Sequence, residues 1–176
     1  MKIETHTASK LPRHTLSKLD KMLANVPSDH LRGIQRLKIV DFIDNPKLRQ
    51  QSATLPGLYI PRQGTQPASI EIASKVLLPT GQSLSKRLFA RLSFYNNLAA
   101  TVYSLIGQHH YLTMRHSVKR TQIESSVRRY TEERLKTWNE NQHGFRAKLF
   151  KPLQPKLEKW AKSLQKQATR RQTKSL

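Results

Sequence analysis

The fold is decided by residues 88 to 112, which read LFARLSFYNNLAATVYSLIGQHHYL. This stretch is apolar nearly all round in its middle, and it belongs to a proline-free run from Leu84 to about Leu112. A helix that is apolar on every side is typically buried in a protein core. We therefore expect a buried central helix, with Gly107 as its weak point because glycine costs about 1 kcal/mol against alanine inside a helix.

Shorter elements precede this helix. Leucines at helical spacing predict a first helix from Thr15 to about Ala24. The stretch from Leu31 to Ile43 is rich in β-branched residues and favours a strand. Two further short strands are predicted at Leu58 to Ile60 and at Ser69 to Ala73, and the prolines beside them indicate that both are edge strands.

A second long helix is predicted from Ser117 to Asn139, and His143 and Gly144 are expected to end it. Tyr130 and Trp138 occupy apolar positions of this helix, and we expect both in the core. The resulting domain prediction is a flexible lead-in over residues 1–14, a folded α+β domain over 15–142 and a basic amphipathic C-terminal extension over 143–176.

Composition excludes several kinds of chemistry. The 176 residues suit one domain of ordinary size, and they contain no cysteine, so disulfides, zinc ribbons and thiolate nucleophiles are excluded. No apolar run reaches the roughly 18 to 20 residues of a membrane span, and the first residues lack the apolar core of a secretory signal. These features predict a cytoplasmic protein without a transmembrane segment.

Residues 101 to 110, TVYSLIGQHH, resemble a stretch of the active-site helix of zincin-like metallopeptidases, T-x-x-H-E-I-G-H-H. In that family two histidines one helical turn apart bind zinc, and the glutamate between them activates water. The order of predicted elements is also similar to that of the family. The residues that carry the likeness are Thr101, Ile106, Gly107 and His109.

The resemblance implies a small zincin-like α+β domain, in which a short sheet packs on the long buried helix and a basic helical extension follows. It places Ser104 at the first zinc ligand, Leu105 at the general base and Gln108 at the second ligand. Glu124 falls at the third ligand and alone keeps the matching residue type. One carboxylate cannot hold zinc, and leucine cannot transfer a proton. The resemblance therefore implies an inactive domain with no catalytic residues, no metal and no cofactor.

Other interpretations stay open. The apolar helix can belong to an unrelated α+β domain, in which Glu124 is only an exposed helix residue. A second alternative is a metal-dependent hydrolase with atypical ligands. His109, His110 and His116 are close in sequence, but their directions on a helix do not converge on one ion, so neutral, half-buried histidines or polyanion contacts are favoured.

The charge of the chain points to a polyanionic partner. The sequence has 32 Lys and Arg against 11 Asp and Glu, a net charge of +21, and from Met114 onward it has 17 Lys and Arg against 5 Glu. Such a field attracts nucleic acid through its phosphates. The candidate phosphate-binding residues are Arg115, Lys119, Arg120, Arg128, Arg129, Arg134, Arg146, Lys148, Lys151, Lys156, Lys159, Lys162, Lys166, Arg170 and Arg171.

Aromatic residues interleave with this charge. Phe145, Phe150 and Trp160 are candidates for stacking on bases or for docking on a partner. No motif for sequence-specific base readout is present. We therefore predict a non-enzymatic binding or scaffold protein, a pseudoenzyme whose partner is nucleic acid or a nucleoprotein. The alternative partners are an acidic protein complex, which could pair with an edge strand at Ser69 to Ala73, and, less favoured, an anionic membrane surface.

Overall fold

A computed structural model describes residues 1–45, 54–78, 84–114 and 120–150, and within the two long helices it describes the side chains of residues 90–113 and 122–141. The chain is a mixed α+β protein with a four-stranded sheet. This confirms the predicted fold class at that level. The elements in chain order are β1 (Lys2–His6), α1 (Thr15–Ala24), α2 (Ser28–Leu31), β2 (Ile34–Val40), β3 (Gly57–Ile60), β4 (Ala68–Ala73), α3 (Ser74–Leu77), α4 (Leu84–Met114) and α5 (Arg120–Phe150).

The sheet has the strand order β1-β2-β4-β3. Strands β1, β2 and β4 are parallel, and β3 alone runs antiparallel, against β4. A parallel pair needs a crossover connection, which α1 and α2 supply between β1 and β2. Alternate residues of the inner strands, such as Leu37, Ile39, Ile70 and Ile72, are buried and give the sheet an apolar face.

The long helix α4 covers the sheet and supplies much of the core. Phe94, Leu98, Val102 and Ile106 recur at helical spacing, and each is almost completely buried in the same apolar cluster as the inner strands. Tyr103 lies on an adjacent face and is also fully buried, because α1 packs there and its Met22 carbonyl accepts a hydrogen bond from the Tyr103 hydroxyl at 3.3 Å. The prediction of a buried central helix is therefore confirmed.

The first residues of the chain are not a loose lead-in. Lys2–His6 form β1, which pairs with β2 from Lys2 opposite Arg36 to His6 opposite Val40. Five residues carry too little alternation to be recognised locally, and the strand depends on pairing with a segment more than thirty residues away. This part of the prediction is wrong.

Two of the predicted strands need a correction of position. The segment around Ser69 to Ala73 was expected at an edge, but β4 lies between β2 and β3. Pro67 precedes the strand instead of interrupting it, so no ladder hydrogen bond is lost. The strand expected from Leu31 is shorter, Ile34–Val40, because Leu31 ends the single-turn helix α2.

Helix α1 has the predicted bounds, whereas α5 is longer than predicted. The helix continues through His143 and Gly144 to Phe150. A glycine ends a helix when it takes a left-handed conformation, and among the described glycines only Gly33 and Gly64 have positive φ. Contacts divide the chain into two compact units, residues 1–138 and 139–176.

Candidate functional site

A groove of about 920 Å³ lies between α4, the first half of α5 and the start of β3. Its walls are mostly apolar, and hydroxyl, amide and charged groups are placed among them. A cavity of this size and composition is typical of a ligand site. The lining residues are Leu55, Pro56, Gly57, Ala100, Thr101, Ser104, Leu105, Gln108, Leu112, Ile123, Glu124, Val127, Arg128, Thr131 and Glu132.

The four residues that the resemblance placed at zinc-ligand and general-base positions all line this groove. Ser104 and Gln108 lie one turn apart on α4, Leu105 lies beside them, and Glu124 faces the same space from α5. Ser104 and Gln108 are half-buried, Leu105 is buried and Glu124 is exposed. The structure therefore brings together residues that are 20 positions apart in sequence.

The groove offers hydrogen-bonding groups and a carboxylate. The described residues contain no group of three or more His, Asp or Glu side chains that could hold a metal ion. The Leu105 side chain can neither give nor accept a proton, while the Ser104 hydroxyl and the Gln108 amide can donate and accept hydrogen bonds. Glu124 supplies a carboxylate at the rim.

Gly57 sets the wall that β3 contributes to the groove. A Cβ atom at this position would lie 2.7 Å from Leu105 Cδ1 and 2.7 Å from Thr101 Cγ2. Only a residue without a side chain lets the strand pass so close to α4. The strand predicted from Leu58 begins one residue earlier, at Gly57, and no local pattern predicts this contact with a helix more than forty residues away.

Gly107 has the same role on the opposite side of α4. A Cβ atom there would lie 2.9 Å from Tyr130 Cδ1 and 3.5 Å from Val127 Cγ1. The glycine predicted as a weak point of the helix is therefore the place where α5 packs closely against α4. This close packing fixes the position of Val127, which lines the groove.

His109 ties α4 to the sheet. The Arg32 carbonyl oxygen can only accept, so His109 Nε2 donates to it at 2.9 Å, and Nδ1 accepts from the Tyr59 hydroxyl at 2.9 Å. Burial lowers the pKa of the His109 imidazole, which favours this neutral tautomer. The residue is 2% exposed. His109 is therefore a core residue of the domain, and its burial favours the neutral imidazole that was predicted.

A second histidine cluster joins α2, α4 and α5. The ring centroids of His30 and His110 are 4.0 Å apart, and His30 Nδ1 lies 3.0 Å from the Tyr130 hydroxyl oxygen. The Arg134 guanidinium lies over the Tyr130 ring, 5.3 Å from its centroid. Burial, reinforced by the Arg134 charge, lowers the pKa of His30. Tyr130 and Trp138 are both buried, which confirms their predicted place in the core.

Asp41 organises a polar network at the carboxyl ends of the parallel strands. Thr7 and Ser9 donate hydroxyl hydrogen bonds to its carboxylate, and the Lys75 ammonium lies 3.2 Å from Oδ2. Ser74 donates in turn to the Thr7 hydroxyl at 2.9 Å, since that hydroxyl already donates to Asp41. The Thr7 bond, with help from Lys75 and Ser9, holds the pKa of Asp41 well below its usual range. No local pattern predicts this network, because Thr7 and Ser9 reach Asp41 only when β1 joins the sheet.

The basic candidates divide into three groups. Arg128 and Arg129 are exposed and pair along the helix with Glu132 and Glu133, at 3.0 and 3.2 Å. Arg134 is half-buried and donates to the Asn25 carbonyl oxygen at 3.3 Å.

The third group lies where no side chain is described. Arg120, Arg146, Lys148, Phe145 and Phe150 belong to α5, and their side chains are outside the described residues. The remaining candidates are wholly outside the described residues: Arg115, Lys119, Lys151, Lys156, Lys159, Trp160, Lys162, Lys166, Arg170 and Arg171.

Comparison of the chain with protein-family models, with curated proteins and with solved structures finds no match in any of the three. Across the ranges that the structure describes, no helix is long and apolar enough to cross a membrane. Function must therefore be argued from the groove and from the charge of the chain.

Proposed function

We propose that this protein is a zincin-like domain without metal-dependent catalysis that serves as a binding or scaffold protein, and that it contacts nucleic acid or a nucleoprotein through its basic C-terminal residues. The observation that carries the first part is the meeting of Ser104, Leu105, Gln108 and Glu124 in one groove. A chance likeness confined to the α4 stretch would not require Glu124 of a second helix to line the same cavity.

The groove lacks what zinc hydrolysis requires. Catalytic zinc takes three protein ligands, and histidine nitrogens or carboxylates supply them. Here the corresponding positions offer a hydroxyl, an amide and one carboxylate. Leu105 is 4% exposed and packs below Gly57, so an apolar contact occupies the place where a general base would stand.

The charge distribution assigns the polyanion contacts to the end of the chain. Residues 120–142 contain five Lys and Arg against four Glu, and two of those arginines are in ion pairs. Residues 143–176 contain ten Lys and Arg against one Glu. Of these two ranges the second therefore carries most of the excess positive charge that would draw phosphates, and the paired Arg128 and Arg129 contribute less to binding.

Binding across a salt series tests this assignment. The purified protein is titrated into duplex DNA, single-stranded RNA and heparin, and the slope of log affinity against log salt is compared between two variants that lose the same charge. Each phosphate contact contributes about 0.7 to 0.9 to that slope. We expect K159Q/K162Q to reduce the slope by about 1 to 2, and R128Q/R129Q to change it less.

The outcomes separate the alternatives. A preference for one nucleic acid over heparin, together with the unequal effect of the two variants, supports the proposal. Equal binding to all three polyanions, with equal effects of the variants, means that only net charge is recognised and favours an acidic protein as the partner. Stoichiometric zinc in the same preparation would favour the hydrolase with atypical ligands.

A further inference from the structure

The rim of the groove has an unusual charge for this protein. In a chain of net charge +21, the charged residues among the described lining are Glu124, Glu132 and Arg128. Arg128 Nε lies 3.0 Å from Glu132 Oε1, so these two side chains largely neutralise each other. Within the described part of the chain the Glu124 carboxylate makes no ion pair and no hydrogen bond. Among the described lining side chains two carboxylates therefore face one guanidinium, and Glu124 is the carboxylate outside the ion pair.

The walls below this carboxylate are apolar. Leu55 and Ile123 are half-buried, Val127 is buried, and Leu112 is 48% exposed although it is a large apolar side chain. A side chain of this kind at the mouth of a cavity gains free energy when a ligand covers it, at about 25 cal/mol for each Å² of apolar surface removed from water. The walls therefore favour a ligand with an apolar body.

The groove is also held in shape by its surroundings. Gly57 lets β3 touch α4 on one side, and Gly107 lets α5 touch α4 on the other. Both walls are therefore packed closely on neighbouring side chains. A preformed cavity loses little conformational freedom when a ligand enters, which strengthens binding. Ser104 and Gln108 provide hydrogen-bonding groups within it.

We infer that the groove is a binding site for a small organic cation, a molecule with an apolar body and an amine or guanidinium group that approaches Glu124. This site is distinct from the main proposed nucleic-acid contacts, because those lie in residues 143–176 and only Arg128 of the phosphate-binding candidates lines the groove. The cavity volume of about 920 Å³ lies within the range of small-molecule sites.

A matched pair of probes tests the charge preference. 4-Phenylbutylamine is protonated at pH 7, and 4-phenylbutanol has a similar shape without the charge. Their affinities for the full chain are measured by calorimetry or by chemical-shift titration at low ionic strength. Because Glu124 is exposed, we expect the amine to bind about two- to fivefold more tightly than the alcohol.

Two variants and two controls locate the site. E124Q should remove the preference for the amine, whereas E140Q, an exposed glutamate of the same helix outside the groove, should keep it. Ala100→Trp should fill the groove and weaken both probes at least tenfold, while Ala90→Trp on the same helix should not. E124Q changes an exposed side chain and keeps the test valid if Ala100→Trp does not fold.

Three results would overturn the inference. These are equal affinity of the two probes for the unaltered protein, an amine preference that survives E124Q, and failure of either probe to bind at millimolar concentration. None of them bears on the nucleic-acid titrations, so failure of the groove site and failure of the proposed function can be told apart.

Discussion

Replacing Gly107 by alanine separates two opposite effects on helix α4. In a helix interior, alanine is favoured over glycine by about 1 kcal/mol, so the change would ordinarily stabilise the protein. Here the new Cβ atom would lie 2.9 Å from Tyr130 Cδ1, closer than real Cβ contacts allow. One of the two helices must therefore shift, or the tyrosine ring must rotate.

The surroundings of Tyr130 oppose both movements. The residue is 5% exposed, its hydroxyl lies 3.0 Å from His30 Nδ1, and the Arg134 guanidinium lies over its ring. Overpacking a closed core by one methyl group typically costs about 1 to 3 kcal/mol. Subtracting the helical gain of about 1 kcal/mol, we expect the free energy of unfolding to fall by about 0 to 2 kcal/mol.

Urea denaturation followed by circular dichroism measures this change. Asn96→Ala serves as the control, because Asn96 is exposed on the same helix and its replacement reports helix propensity without a packing change. That variant should gain about 0.5 kcal/mol. If Gly107→Ala were instead more stable than the unaltered protein by the full helical gain, the close packing of α4 and α5 described here would be refuted.

Two further predictions concern acid. Burial lowers the pKa values of His30 and His109, so the unfolded chain takes up protons first and the free energy of unfolding should fall as the pH drops below about 6.5. Urea denaturation midpoints between pH 7.5 and 5 measure this change, and a stability that does not vary over that range would contradict the prediction. The lowered pKa of Asp41 stabilises the fold above about pH 4, and this stabilisation is lost as the pH falls towards the folded-state pKa. Asp41→Asn should therefore speed amide hydrogen exchange in β1 relative to β3. If the two strands exchanged equally in this variant, the contact between Thr7 and Asp41 would not be what holds β1 in place.

Much of the fold could be predicted from local patterns. The spacing of its leucines was enough to predict helix α1, and the length of its apolar stretch was enough to predict helix α4. The strands β2, β3 and β4 were also predicted, because their β-branched and aromatic residues form a signal within a few neighbouring positions. Local signals of this kind do not depend on where the rest of the chain goes.

What the sequence could not reveal depends on distant partners. The strand β1 exists because Lys2 to His6 pair with β2, and β4 becomes an inner strand only through the order β1-β2-β4-β3. The Asp41 network joins the carboxyl ends of β1, β2 and β4. Gly57 and Gly107 were visible as glycines, but their purpose is close contact with residues on other elements, which no single stretch of sequence records.

The candidate site combines residues that were named from the sequence with a feature that only the packing of the chain reveals. Ser104, Leu105 and Gln108 were named through the resemblance, and helical periodicity places Ser104 and Gln108 one turn apart on α4. Glu124 was named only through the resemblance, and its position in the same groove follows from the packing of α5 on α4. The carboxylate excess at the rim, with Arg128 held by Glu132, could not be read from a chain in which positive charge dominates.

Zinc binding by an introduced ligand set tests most directly the proposal that the groove is arranged like a zincin site. S104H/Q108H places two imidazoles one turn apart on α4, opposite the native Glu124, and zinc is measured by calorimetry at pH 7.5 against a weak competing chelator. We predict one equivalent of zinc per chain for this variant, none for the unaltered protein, and loss of the site in S104H/Q108H/E124Q. A folded S104H/Q108H protein that binds no zinc, or whose zinc binding is unaffected by E124Q, would contradict the proposed zincin-like arrangement of the groove.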